Sequence, residues 1–156
     1  MEKKKLPDFV ELVNRYKKLT NGQRAELRRV AEPAGMELLP SFYHLIGNMG
    51  QANERWYRLA FFLPYVQHKD NGPSLGQVFK RGAVSEKRLF QVVRSQSPND
   101  LITLRRLAQQ TKPVVDWSRF GKSLFFWTDS NISKKQLIQD YFVSDGKEDE
   151  QSENDE

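Results

Sequence analysis

The chain has 156 residues, enough for one domain with an ordinary core, and no cysteine, which excludes a disulfide framework, a thiolate metal site and a thiol nucleophile. Hydrophobic residues make up only 38%, but ten Phe, five Tyr and three Trp supply bulky core material. The net charge of +5 hides a split: residues 143–156, VSDGKEDEQSENDE, carry seven acidic groups and one Lys, net −6, so residues 1–142 hold 24 basic against 13 acidic groups, net +11.

Read in chain order, the sequence shows helical periodicity almost throughout. Phe9, Leu12, Val13, Tyr16 and Leu19 share one helix face, entered through Pro7 and Asp8. Thr20 and Gln23 have capping-box spacing ahead of QRAELRRV, which must stop before Pro33, so the first unit is a helical hairpin. Pro40 and Ser41 open PSFYHLI, and Trp56, Leu59, Ala60 and Leu63 mark a fourth helix that is bent or stopped near Pro64. The HKDNGPS stretch is a loop by its Asn-Gly and Gly-Pro pairs.

Ser74 is placed to cap LGQVFKR and Ser85 to cap EKRLFQVVR, with Gly82 separating the two. Ser97 and Pro98 open NDLITLRRLAQQ, whose stripe is Leu101, Leu104, Leu107 and Ala108. Pro113 divides it from VVDWSRFGKSLFFW, and SKKQLIQDYF forms the last helix. The expected fold is all-α, a single compact bundle of about eight short helices over residues 1–143. Residues 144–156 bury too little apolar surface to offset their ordering entropy and are expected to be a disordered acidic tail.

No apolar run approaches the roughly 18 residues that span a membrane, and MEKKKLPDF lacks the apolar stretch of a signal peptide. The expected location is cytoplasmic. No motif points to catalysis, to a metal or to a cofactor. The two histidines, His44 and His68, are 24 residues apart with no HExxH pattern, and there is no GxxxxGK[ST] or GxSxG. The GxxG in IGNMG belongs, in one RNA-binding module, beside strands that this sequence does not predict.

A body of net +11 instead points to a polyanionic partner. At 100° per residue, Arg29 points nearly opposite the Leu27, Val30 and Ala31 stripe, with Arg24 and Arg28 flanking it. Arg106 points away from its Leu stripe and Arg105 sits at the edge. Lys87, Gln91 and Arg94 share an exposed side, and Arg119 and Lys122 project from one side with Phe126 near them. Basic residues beside an aromatic ring suit a single strand, with cations on phosphates and the ring on a base; Phe126 is either such a ring or core. Each arginine alone could equally be a solvated helix face, so the functional reading rests on their recurrence with few acidic partners at i±4.

Taken together, NG..AELRRVAEP, PSFYHL, SLG, RLFQVVR, LRRLAQQTKPVVDW and the Phe126-Trp127 pair resemble the CasB family, the small all-helical subunit of the type I-E CRISPR surveillance complex, Cascade. The resemblance runs in order from Leu19 to Val143, with no match over Gly47 to Pro73 or in the acidic tail. It implies a non-enzymatic subunit present as a pair, beside other Cascade subunits, CRISPR RNA and target DNA, which stabilises the R-loop in antiviral defence while a separate nuclease cuts. Nucleic-acid contacts would fall on Arg28, Arg29, Arg94, Arg105 and Arg106, and on Lys122. Arg119 joins them on its position alone, and Arg24 matches no family position. Where the family is often richer in Arg this chain has SKKQL, so no such role carries over to Lys134 and Lys135. The alternatives are a structural adaptor whose basic faces meet acidic protein surfaces, and a cryptic nuclease.

Overall fold

The computed structural model describes residues 6–154, with side chains described over 6–143. The acidic segment expected to be disordered lies outside the residues with described side chains. Nine α-helices and one 3₁₀ helix occur among the described residues: α1 Phe9–Lys18, α2 Asn21–Arg28, the 3₁₀ helix Pro33–Leu38, α3 Pro40–Ile46, α4 Glu54–Phe62, α5 Leu75–Arg81, α6 Glu86–Arg94, α7 Asn99–Thr111, α8 Trp117–Phe125 and α9 Ile132–Asn154. The all-α bundle expected from periodicity is what forms.

Local sequence sets most boundaries. Asp8 caps α1 by accepting from the Glu11 N–H, and both Thr20 and Ser74 complete capping boxes with Gln23 and Gln77. Ser85 caps α6. The VVDWSRFGKSLFFW segment does not form one helix. Val114–Val115 pair in parallel with Gln67–His68 as β2 and β1, and α8 starts only at Trp117, capped by Asp116. Pro113 offers no N–H to a preceding turn and two β-branched residues follow, so a short extended bridge forms there. The PAGMEL turn, which periodicity did not reveal, begins with Pro33 as a helix opener.

Aromatic residues fill the centre. Phe42, Phe61, Phe62, Phe79 and Trp117 are fully buried, and Trp117 donates its indole N–H to the Val66 carbonyl at 2.9 Å. Helix α4 is buried nearly all round, between the 3₁₀ helix and α8, while α8 also packs on α1. Two glycines permit close contact between helices. A Cβ on Gly76 would lie 2.6 Å from the Leu137 carbonyl oxygen and 2.7 Å from the Tyr141 nitrogen, so the SLG stretch lets α5 lie against α9. A Cβ on Gly121 would meet the Phe9 ring at 2.4 Å, which joins α8 to α1.

Candidate nucleic-acid interface

The basic side chains at the end of α2 are placed by two apolar anchors. Leu27 and Val30 are buried, which leaves Arg28 and Arg29 between them exposed. The negative end of the α2 dipole favours both cations there. Arg28 also reaches the Tyr16 hydroxyl, whose pKa burial raises and the Arg28 charge and hydrogen bond partly bring back down. Arg24 turns elsewhere, donating to the Lys17 carbonyl at 2.8 Å and to the Asn21 side chain, so the end of α1 offsets its repulsion with Arg28.

Helix α7 reaches the same junction through Arg105, which donates to the Val30 carbonyl at 2.5 Å. Its guanidinium lies over the Phe61 ring, 3.9 Å from the centroid, and 5.4 Å from that of Tyr65. Burial lowers its pKa from the ordinary arginine value, and its buried Nε has no hydrogen-bond partner among the described residues. Arg105 therefore faces the protein, further in than the edge position expected from the helical wheel. Arg106, the next residue, is exposed. Of the seven expected positions, Arg28, Arg29 and Arg105 are thus brought together at the end of α2, through the Val30 carbonyl.

Arg94, Arg119 and Lys122 sit on two other helices, α6 and α8. Arg94 is exposed at the end of α6, with its guanidinium 5.2 Å from the Phe90 ring centroid. Arg119 and Lys122 are exposed on α8 and, with Phe126, line a groove of about 1000 Å³ between the Gly72–Gln77 segment, α8 and α9. Phe126 is half-buried, and Arg55 stands 5.4 Å from its centroid. The ring is neither wholly core nor a free stacking platform. Among the described residues, none of the seven basic groups forms an ion pair with a carboxylate.

Several cations that sequence patterns did not single out are structural. Arg58 is buried and donates to the Leu124 and Phe125 carbonyls at 2.8 and 3.0 Å; Arg55 also donates to the Phe125 carbonyl and pairs with Asp129 at 2.9 Å. Both satisfy carbonyls at the end of α8, where cations are favoured. Lys134 pairs at 3.1 Å with Asp100, a fully buried carboxylate that also accepts from the Trp127 indole at 2.8 Å and the Leu101 N–H at 2.7 Å. This explains why a Lys in SKKQL serves the fold. The Ser97 hydroxyl is a further partner of Asp100 at 3.2 Å.

His68 is likewise a packing residue. Its Nδ1 accepts from the Trp117 N–H at 2.9 Å and its Nε2 faces Asp70 at 2.7 Å, which joins β1 to the start of α8. Among the described residues, no group of three or more His, Asp or Glu is placed to hold a metal ion. No helix among them is long and apolar enough to cross a membrane. What the arrangement offers chemically is exposed positive charge on rigid helices.

Comparison with known proteins agrees with the resemblance read from the motifs. Residues 23–142 match the family described as CRISPR-associated protein Cse2. The chain is 31% identical over 155 residues to the CRISPR system Cascade subunit CasB of Escherichia coli K12, across 90% of this chain and 96% of that protein. A chain in the crystal structure of E. coli Cascade bound to a PAM-containing double-stranded DNA target superposes with a TM-score of 0.81 at 30% identity, covering 90% of this chain and 99% of the other. With the fold, the ordered motifs and near-complete coverage in accord, the chain belongs to the Cse2 family of CRISPR-associated proteins, the family of CasB.

Proposed function

We propose that the protein is a non-catalytic Cascade subunit that holds the backbones of CRISPR RNA and target DNA without reading sequence, and so stabilises the R-loop. The observation that carries this reading is that Arg28 and Arg29 at the end of α2, and Arg106 on α7, are exposed with no carboxylate paired to them among the described residues. Arg94 and the Arg119–Lys122 pair add exposed positive charge on α6 and α8. Exchanging a DNA duplex for a hybrid of similar stability is nearly balanced, so a few phosphate contacts are enough to tip it. The partners are other Cascade subunits and a second copy of this chain, in the cytoplasm.

Large apolar side chains on the surface favour a second reading, a purely structural adaptor: Leu38 is 87% exposed and Ile132 72%. Charge reversal separates the two. Arg29→Glu with Arg106→Glu should leave the assembled complex intact on size exclusion while weakening R-loop formation, and the affinity for a single strand should fall with salt at about 0.7 log units per neutralised phosphate. A complex that no longer assembles supports the adaptor. An unchanged R-loop and a flat salt response overturn the nucleic-acid reading.

A further inference from the structure

We propose that Tyr65 and Arg105 are positioning residues, which clamp the backbone on both sides of Arg29 so that Arg28 and Arg29 are presented to a nucleic-acid backbone in one fixed geometry. This inference rests on the nucleic-acid reading above and assigns Arg105 a role different from the direct contact that the family resemblance implies.

The clamp is visible in three carbonyl groups. Helix α2 ends at Arg28, and the last carbonyls of a helix have no partner within it. Glu26 O accepts from the Arg29 N–H, Arg28 O accepts from the Tyr65 hydroxyl at 3.1 Å, and Val30 O accepts from Arg105 at 2.5 Å. The carbonyls of the residues before and after Arg29, Arg28 and Val30, are therefore held by side chains from two other parts of the chain, the turn after α4 and the middle of α7. Val30 itself is wedged from below: a Cβ on Gly35 would lie 2.8 Å from its Cγ1. Arg105 is fixed in turn by its stack on Phe61, itself fully buried.

The two clamping side chains face different ways from the two they position. Arg28 and Arg29 are exposed, while Tyr65 and Arg105 are half-buried and each donates to a backbone carbonyl of the protein. A long arginine on a free helix end spreads over many rotamers and backbone states, and fixing the backbone removes part of the entropy lost on binding. Positioning of this sort changes how well Arg28 and Arg29 meet phosphates without adding a phosphate contact of its own. The number of ions released on binding then reports on residues that were not mutated.

The test uses the full chain, a labelled single-stranded DNA of mixed sequence and a salt titration by fluorescence anisotropy, with thermal unfolding to confirm that each variant is folded at the assay temperature. Tyr65→Phe removes only a hydroxyl, and Arg105→Lys keeps the charge while losing the planar stack. Each should weaken binding about 2- to 10-fold, the scale of one net hydrogen bond, and flatten the salt slope although Tyr65→Phe changes no charge. In an Arg28→Ala, Arg29→Ala background both should have no further effect, because the residues through which they act are gone. If Tyr65→Phe and Arg105→Lys leave affinity and slope unchanged while Arg28→Ala, Arg29→Ala weakens binding, the positioning role is wrong and the nucleic-acid reading stands. If Arg105→Lys still weakens binding in the double-Ala background, Arg105 is a direct contact and the inference is overturned. If the Arg28→Ala, Arg29→Ala chain binds as the parent does, the nucleic-acid reading itself fails and the inference with it.

Discussion

Replacing Lys134 by Met tests how much the buried Asp100 network holds α9 to α7. The substitution keeps most of the side-chain stem and removes an ammonium 3.1 Å from a carboxylate that is 0% exposed, while Lys134 itself is only 15% exposed. Breaking a buried ion pair from one side generally costs about 3–5 kcal/mol, because the remaining charge stays buried. Asp100 retains the Trp127 indole, the Leu101 N–H and the Ser97 hydroxyl as donors, so the cost should sit near the lower end, about 3 kcal/mol. For a chain of this size that corresponds to a fall in Tm of about 6–12 °C. Urea denaturation followed by circular dichroism measures it. Combining Lys134→Met with Asp100→Asn removes the stranded charge and should recover about half of the loss, a coupling that the double-mutant cycle isolates. A single-variant loss below about 1 kcal/mol, or a double variant no more stable than the single, would refute the reasoning. DNA affinity should not move in folded protein, since Lys134 is engaged internally.

Gly76→Ala puts a methyl against backbone atoms of α9 that have no rotamer to yield, so it should cost about 1–3 kcal/mol and speed hydrogen exchange in α9; unchanged protection there would rule out the close α5–α9 contact as essential. The Asp116 carboxyl is held below its ordinary range, chiefly by the Ser118 hydroxyl and further by the Asn71 and Ser118 N–H groups, against its burial. A depressed folded pKa adds stability that is complete above about pH 4 and is lost as pH falls through the folded value, so Asp116→Asn should flatten the urea midpoint against pH below about 4; an identical acid profile would count against it. Deleting residues 145–156, which carry net −6, should tighten DNA binding at low salt and have little effect at high salt, and equal affinities at both would reduce the segment to a solubility element.

The candidate site was legible in part. Helical phase alone separated Arg29 and Arg106 from the apolar stripes, and both are exposed, because an amphipathic helix in a bundle must turn its leucines inward. Phase also placed Arg105 at a stripe edge, but an edge residue can lie outward or fold in, and its neighbours decide which. Phe61 and the Val30 carbonyl, 44 and 75 residues away in the chain, draw it inward. Tyr65 gave no signal at all, since its contribution is one hydroxyl on a carbonyl 37 residues distant.

Sequence by itself determined the helical class, most of the caps, the central apolar stripes and the charge split, because each depends on residues within about one or two helical turns of one another. It also carried the family resemblance, which is written in ordered short motifs. Only the tertiary structure decided which cations are free and which are spent. Arg55, Arg58, Arg105 and Lys134 read as surface charge in any local window, yet each satisfies a carbonyl or carboxylate brought to it by packing. A helix end leaves polar groups that its own sequence cannot satisfy, and the partners that do so come from wherever the fold places them.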